Sequence, residues 1–452
     1  MTHPTDFPRR DFLRAAAATG LAVPYLVPSS ALAQPGKPGA NERLSIALIG
    51  CGSMGRANLN ACGSQPDVVV TGACDVWKQR RDAVIAQYHT AKPYADYHEL
   101  LQRKDLDGVI IGTPPHWHCL MAIDACRAGK DIYLQKPMTL HLAESFAVRN
   151  AVRKHQRICQ VGTQIHASEN YRRVVERIRA GGLGKVSVAR TFNVMNQGPQ
   201  GLGNVPNGDP PAGLDWENWV GPCAMRPFNR LIVQDAYTNC SFMSFSGGWT
   251  PGMAPHIIDL PIWALDLGFP TTTFSSGGRY TIRDAGDVPD TQEVLWQYTD
   301  FTLTWSMSTV ESFAFDFGRG VPERRLGIYF HALRGTLYAD YGMHKVVPEG
   351  SLLKDDKPPA ATIPPSPGHE REWLNSIRSR KTPSCCPDYH CRVDVPLVLA
   401  NLSLRLGRAI RFDPATEAIV GDAEAARLAV PEYRAPWKFP EEYVSSLRRS
   451  AS

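Results

Sequence analysis

The run Gly50-Cys51-Gly52-Ser53-Met54-Gly55 narrows what this chain can fold into more than any other. It follows a continuous apolar stretch of strand length, Leu44 to Ile49, and opens a helical stretch reaching Cys62. In that setting Gly50 permits a tight turn and Gly52 lets a pyrophosphate approach the backbone. Gly55 lets the helix pack closely on the sheet. The helix N-terminus then supplies partial positive charge for the phosphates, with Cys51, Ser53 and Met54 of the same loop expected as cofactor contacts. Twenty residues on, Asp75 closes a second, β-branched run, 68–73. A carboxylate there accepts hydrogen bonds from a ribose 2′-hydroxyl and repels a 2′-phosphate. NAD is therefore the expected cofactor, while Arg80 and Arg81 keep NADP open.

Further strand-like runs at 108–111, 131–134 and 158–162 alternate with helical ones at 79–89, 120–128 and 142–154. That alternation predicts a parallel, doubly wound sheet. After residue 165 the pattern changes. A helix is expected at 168–180, then β-type runs at 186–194, 271–276, 293–310 and 327–341, and helices at 369–379 and 393–410. The stretch 195–256 is rich in Gly, Pro, Trp and Asn with little periodicity, and so long an irregular stretch in a compact domain is usually functional. Residues 348–367 read as a loop.

Arg9-Arg10-Asp11-Phe12-Leu13-Arg14 precedes an alanine-rich apolar stretch and Ala31-Leu32-Ala33. This has the build of an export leader, and the paired arginines point to the twin-arginine route, which carries folded proteins. The expectation is a leader over 1–33, a linker over 34–43, and a mature protein in the periplasm or secreted. The full chain carries +5 and the mature part +4, too mild for a nucleic-acid partner. Beyond the leader no apolar run reaches the roughly 18 residues a membrane helix needs. Eleven cysteines, an odd number, argue against a disulfide framework. Cys385, Cys386, His390 and Cys391 cluster without a common zinc spacing, so no metal is expected, although a disulfide within the cluster stays open.

Lys136 follows the strand at 131–134, at the end that faces the crevice of such a sheet, and Pro137 fixes its backbone. An ammonium there can bind a substrate hydroxyl and lower its pKa as hydride leaves carbon. Thr113-Pro114-Pro115-His116-Trp117-His118, Gln135-Lys136-Pro137 and Gln160-Val161-Gly162-Thr163-Gln164 join the glycine run as markers. So do the stretch from Leu214 to Pro222, Gly247-Gly248-Trp249, His256-Ile257-Ile258-Asp259 and Tyr433-Arg434-Ala435-Pro436-Trp437. With these the chain resembles the glucose–fructose oxidoreductase/inositol dehydrogenase/rhizopine (Gfo/Idh/MocA) family over nearly all its mature length. The Asp-Trp and Tyr-Arg-x-Pro-Trp motifs resemble its exported branch.

The resemblance implies an α/β Rossmann domain, 44–165, and then an α+β domain, 166–452, with an open, mainly antiparallel sheet. That second domain would bind substrate and form a homodimer or homotetramer, with its C-terminal segment packing back. The resemblance makes Lys136 and His256 the catalytic pair. It implies cofactor contacts from Thr113, Pro114, His118, Gln135, Lys136 and Gln164 besides the glycine run and Asp75. Asn193, Tyr237, Trp249 and Asp259 are the substrate-binding candidates. Two departures stand out: the family's Glu-Lys-Pro is Gln135-Lys136-Pro137 here, and its aspartate four residues before the histidine is Gly252.

The resulting expectation is an exported NAD(P)-dependent oxidoreductase acting on a sugar, polyol or glycoside with a tightly held cofactor. Free NAD is scarce outside the cytoplasm, so the cofactor would have to be regenerated in place. A redox-neutral glycosidase, lyase or epimerase working by transient oxidation meets the same requirement. A non-catalytic sugar- or nucleotide-binding protein on this scaffold is the reading from outside enzymology.

Overall fold

The computed structural model describes residues 38–39, 42–313, 325–353 and 357–444. The arginine pair and the leader fall outside the described residues.

Leu44–Ile49 (β1) is buried at every position, as a strand covered on both faces must be. It sits in a six-stranded sheet with Val68–Cys74 (β2), Lys92–Tyr94 (β3), Gly108–Ile111 (β4), Asp131–Leu134 (β5) and Cys159–Val161 (β6). The order is β3-β2-β1-β4-β5-β6, every pairing parallel. Helices Ser53–Gly63 (α1), Lys78–Gln87 (α2), Tyr97–Leu101 (α3), His118–Arg127 (α4) and Leu142–His155 (α5) connect the strands. The order reverses between β1 and β4, which opens a crevice at their carboxyl ends. β3 and α3 were not foreseen. Lys92–Tyr94 is three residues long with a central proline, and it sits at the sheet edge where a missing N–H does no harm.

The second unit begins with Glu169–Arg179 (α6), capped by the Ser168 hydroxyl, which accepts from the Tyr171 N–H. Its sheet joins Val186–Val194 (β7), Thr272–Gly278 (β8), Thr291–Gln297 (β9), Thr302–Ser308 (β10), Arg325–Ala332 (β11), Gly335–Ala339 (β12), His344–Pro348 (β13), Ile410–Asp413 (β14) and Ala418–Ile419 (β15). The order is β13-β12-β11-β7-β10-β9-β8-β14-β15, with only β7 and β10 parallel. Each of the two longest β-type runs folds back on itself. The first turns between Gln297 and Thr302, the second at Leu333-Arg334. Between Trp216 and Met253 lie five short helices where no periodicity was visible. The alternating burial of β9 leaves Leu295 beside Phe274 of β8 on an outward face, each roughly two-fifths exposed.

Three later helices complete the packing, Pro255–Leu265 (α7), His369–Ser379 (α8) and Pro387–Leu406 (α9), and α9 enters the cores of both units. α9 starts six residues earlier than its sequence pattern suggested, because Pro387 can occupy a first turn, and it ends before Gly407 at φ +65°. One stripe of it, Cys391, Val395, Val398, Leu399 and Leu402, enters the core of the first sheet with Ile132 and Phe146. The other, Val393, Leu397 and Ala400, enters the core of the second with Trp296 and Trp305. Trp373 of α8 packs under Leu44 and Ile46. At the C-terminus the Tyr433 hydroxyl donates to Glu144 at 2.5 Å, and Trp437 stacks edge-on against Trp117. All eleven thiols are free, so the Cys385–Cys391 cluster holds no disulfide. No helix among the described residues is long and apolar enough to cross a membrane.

Candidate active site

The glycine turn follows from steric necessity. Gly50 has φ +88°, and a Cβ on it would lie 2.6 Å from the Thr113 nitrogen. A Cβ on Gly55 would lie 2.1 Å from the Gly50 carbonyl oxygen. Gly112, which the sequence reading passed over, completes the contact: a Cβ there would stand 2.5 Å from the Gly55 Cα. Gly52 has only the tip of Arg80 nearby, at 4.0 Å, leaving its backbone approachable. The first turn of α1 holds no acid to compete with an anion. Asp75 braces this loop, its carboxylate accepting from the Cys51 N–H at 2.7 Å and the Trp77 N–H at 2.8 Å. Burial pushes the Asp75 pKa up, against those two bonds. These residues fit a dinucleotide.

The loop opens into a cleft of about 830 Å³ between the two units. Gly50, Cys51, Gly52, Ser53, Met54, Asp75, Thr113, Pro114, Gln135, Lys136 and Gln164 line one side. Tyr237, Trp249 and His256 line the other, with Trp437 from the C-terminal segment. Lys136 Nζ donates to the Gly252 carbonyl at 2.6 Å, so the backbone of residue 252 engages the lysine where the family pattern has a carboxylate. A Cβ on Gly252 would meet Cys240 Sγ at 2.8 Å, so the thiol occupies the space a side chain would need. His256 lines the cleft, and its Nδ1 lies 2.8 Å from the Tyr341 hydroxyl.

Gln135 is buried and donates to Asn58 Oδ1 at 2.6 Å, while Asn58 donates to Glu370 at 3.0 Å. The carboxylate missing from position 135 thus stands one residue further out, on α8. Tyr237 packs edge-on against Trp249 at 4.7 Å and exposes about two-fifths of its surface. Trp249 itself is almost wholly buried, so it backs Tyr237 more than it presents a face. Arg80 lines the cleft with its guanidinium over the Trp77 ring, while Arg81 does not reach it.

Three expected contacts lie elsewhere. His118 is fully buried, its ring nitrogens each 2.8 Å from the Thr113 and Pro137 carbonyls, so it joins two loops behind the cleft. Asn193 is buried in β7, and neither amide atom has a protein partner. Asp259 turns away from His256 into a buried group with His166, Tyr389 and Cys385. The positions that sequence reasoning missed are Cys240, Tyr341, Gly112 and Trp437. Trp437 belonged to a quoted motif, but nothing local showed that it would reach the cleft.

Residues 44–163 match the oxidoreductase family with an NAD-binding Rossmann fold, the Gfo/Idh/MocA family. A glycosyl hydrolase family 109 protein of Saccharopolyspora erythraea is 30% identical over 202 residues, 40% of this chain and 44% of that protein. The NAD(+)-dependent scyllo-inositol 2-dehydrogenase of Bacillus subtilis is 35% identical over 145 residues, 32% of this chain and 42% of that enzyme. The chain thus matches less than half the length of these curated relatives. Among solved structures, GenD2 from gentamicin A biosynthesis in complex with NAD superposes with a TM-score of 0.61 at 18% identity, over 86% of this chain and 99% of that one. The WlbA dehydrogenase of Bordetella pertussis, in complex with NADH and UDP-GlcNAcA, gives 0.61 at 16% identity, over 82% and 99%. At such identity these two likenesses establish the fold. Over residues 44–163 the first domain is thus similar to the NAD-binding Rossmann domain of that oxidoreductase family.

Proposed function

We propose that the protein is an NAD-dependent oxidoreductase acting on a sugar, polyol or glycoside with a captive cofactor. The carrying observation is that one cleft gathers the glycine loop, the Lys136 ammonium, the His256 imidazole and the Tyr237–Trp249 pair. Bound NAD would supply a hydride acceptor. The chain supplies the rest. Lys136 holds a substrate hydroxyl, and His256, steadied by Tyr341, takes the hydroxyl proton. The exposed edge of Tyr237 offers an apolar face to sugar C–H groups, and Trp437 shields the cleft from water. Asp75 favours NAD over NADP, with Arg80 as the feature that would admit a 2′-phosphate.

The likeness to glycosyl hydrolase family 109 proteins supports a second reading, redox-neutral cleavage by transient oxidation. Position 252 contributes no carboxylate to hold an alcohol for simple net oxidation. Both readings fit export through the twin-arginine route, which would deliver the enzyme already loaded. The apolar pair Phe274–Leu295 on the open sheet face supports a homo-oligomer.

The test is to purify the protein without added nucleotide, denature it and count released nucleotide by mass spectrometry. Near-stoichiometric NAD is expected, followed by turnover of sugars or glycosides without an added acceptor. If no nucleotide is released and none binds on titration, the redox reading fails and a sugar-binding protein is the better account.

A further inference from the structure

Behind the cleft, three elements converge on one buried point. His166 comes from the helical turn Gln164–Ala167 after β6, Asp259 from α7, and Cys385 from the residues just before α9. Each offers one ligand atom, and the three atoms lie within 4.8 Å of one another. Asp259 and Cys385 are wholly buried, and His166 is 8% exposed. His166 Nε2 lies 3.3 Å from Asp259 Oδ1, which also accepts from the Tyr389 hydroxyl. Asp259 Oδ2 has no hydrogen-bond partner. A carboxylate oxygen left bare in a dry interior is costly, and buried charges are normally paired or on a metal. The neighbouring His390 is also fully buried with neither ring nitrogen bonded.

We propose that His166, Asp259 and Cys385 bind a zinc ion. Nitrogen, oxygen and thiolate sulfur together suit Zn²⁺, whereas Mg²⁺ and Ca²⁺ take oxygen ligands. Zinc bond lengths of about 2.0 to 2.3 Å place tetrahedral ligand atoms roughly 3.5 Å apart. The observed atoms, within 4.8 Å of one another, would have to close by up to about 1.3 Å to reach that spacing. The Trp263 ring stacks on His166 at 4.1 Å and fixes the plane of its imidazole. The same three residues also have the composition of a Cys–His–Asp nucleophile. Cys385 is wholly buried and points its sulfur at the Thr163 carbonyl, 3.4 Å away, so it is closed to any substrate. The ion would lock the turn that carries Gln164 to the helix that carries His256. It therefore acts as a positioning element between the cofactor side and the proton-transfer side of the cleft.

The experiment uses the full chain, produced in medium with zinc and separately with cobalt. About one zinc per chain should survive dialysis against a weak chelator. The cobalt protein should show a thiolate-to-cobalt charge-transfer band together with tetrahedral ligand-field bands. C385S should lose that band and most of the metal, while C386S, next in sequence but outside the group, keeps both. D259N should weaken zinc binding at least about tenfold. Should C385S not fold, the band in the unaltered protein decides. Wild-type protein without zinc and without a thiolate–cobalt band overturns the proposal, and so does a folded C385S with undiminished metal. Nucleotide content, counted in the same samples, reports on the NAD reading separately.

Discussion

Replacing Gly55 by alanine tests the steric reading of the nucleotide loop at its tightest point. The added methyl would stand 2.1 Å from the Gly50 carbonyl oxygen and 3.2 Å from Leu48 Cδ1. Real Cβ atoms essentially never approach within 3.0 Å, so α1 must retreat from the carbonyl by about 0.9 Å. Neither the carbonyl nor the helix backbone can rotate aside as a side chain would, and Gly112 touches the Gly55 Cα from behind. Overpacking of this kind costs about 1–3 kcal/mol of stability, partly offset by the roughly 1 kcal/mol by which alanine is the better helix former. Cofactor binding should suffer more. A shift of that size would break one or two charge-assisted bonds from the helix N-terminus to phosphate, at about 1.5–3 kcal/mol each, and so weaken NAD binding by a factor of about 10 or more. Urea unfolding followed by circular dichroism reads the first effect, and calorimetric titration of nucleotide-free protein reads the second. Gly182→Ala is the control, because no atom lies within 4 Å of its added methyl. A Gly55→Ala protein with NAD affinity unchanged and stability within about 0.5 kcal/mol of the parent would refute the argument.

Lys136→Ala should lower kcat by about 10²- to 10⁴-fold while purified protein still releases NAD, and unchanged turnover of a found substrate would remove Lys136 from the chemistry. Tyr341→Phe removes the hydroxyl 2.8 Å from His256 Nδ1 and should reduce kcat several-fold with KM and nucleotide content near the parent's, shifting the acidic limb of the pH–rate profile, where a general base becomes protonated. His116 is buried between the Trp219 and Phe245 carbonyls, and burial lowers its pKa from 6.5 to about 4. The unfolded chain therefore takes up a proton that the folded chain refuses, and stability should fall as the pH drops from about 6.5 towards 4, by about 3 kcal/mol in all. His116→Gln should flatten that part of the stability–pH curve measured by urea unfolding, and an unchanged slope would show that His116 does not set it.

How far the sequence discloses this molecule depends on the range of the interactions involved. The first sheet was readable because its determinants are local. An apolar run, three glycines and an acid twenty residues on are all set by the geometry of one strand–turn–helix unit. Gly112 escaped notice because its contact with Gly55 exists only once β4 pairs with β1. In the second sheet, β9 and β10 read as one run because the turn between them carries no glycine or proline to interrupt the apolar alternation. His118 was placed in the cleft through the family motif it belongs to, and Asp259 through the helical face it shares with His256. One residue turns a helix by about 100°, enough to carry His118 away from the side Trp117 presents, whereas Asp259, about 60° round from His256, is drawn out of the cleft by its buried partners His166 and Tyr389.

The two departures from the family pattern show the same limit from the other side. Read as isolated letters, Gln135 and Gly252 remove two carboxylates from beside the nicotinamide site. The fold returns part of what they remove. Glu370 reaches the position-135 network from α8, through Asn58. The Gly252 carbonyl accepts from Lys136, and the Cys240 thiol takes up the space a side chain would fill. Glu370 lies 312 residues from Asn58, and Cys240 and Gly252 stand on different short helical turns, so neither pairing follows from spacing. What the fold supplies is an acceptor for the lysine and a carboxylate bonded to Asn58, the partner of Gln135. The acceptor at position 252 is a neutral carbonyl where the family pattern has a charged group. A carbonyl acceptor fixes the ammonium without neutralising it. On the proposed function, substrate recognition would then rest on Lys136, His256 and the Tyr237 edge, and turnover should depend most on the charge of Lys136.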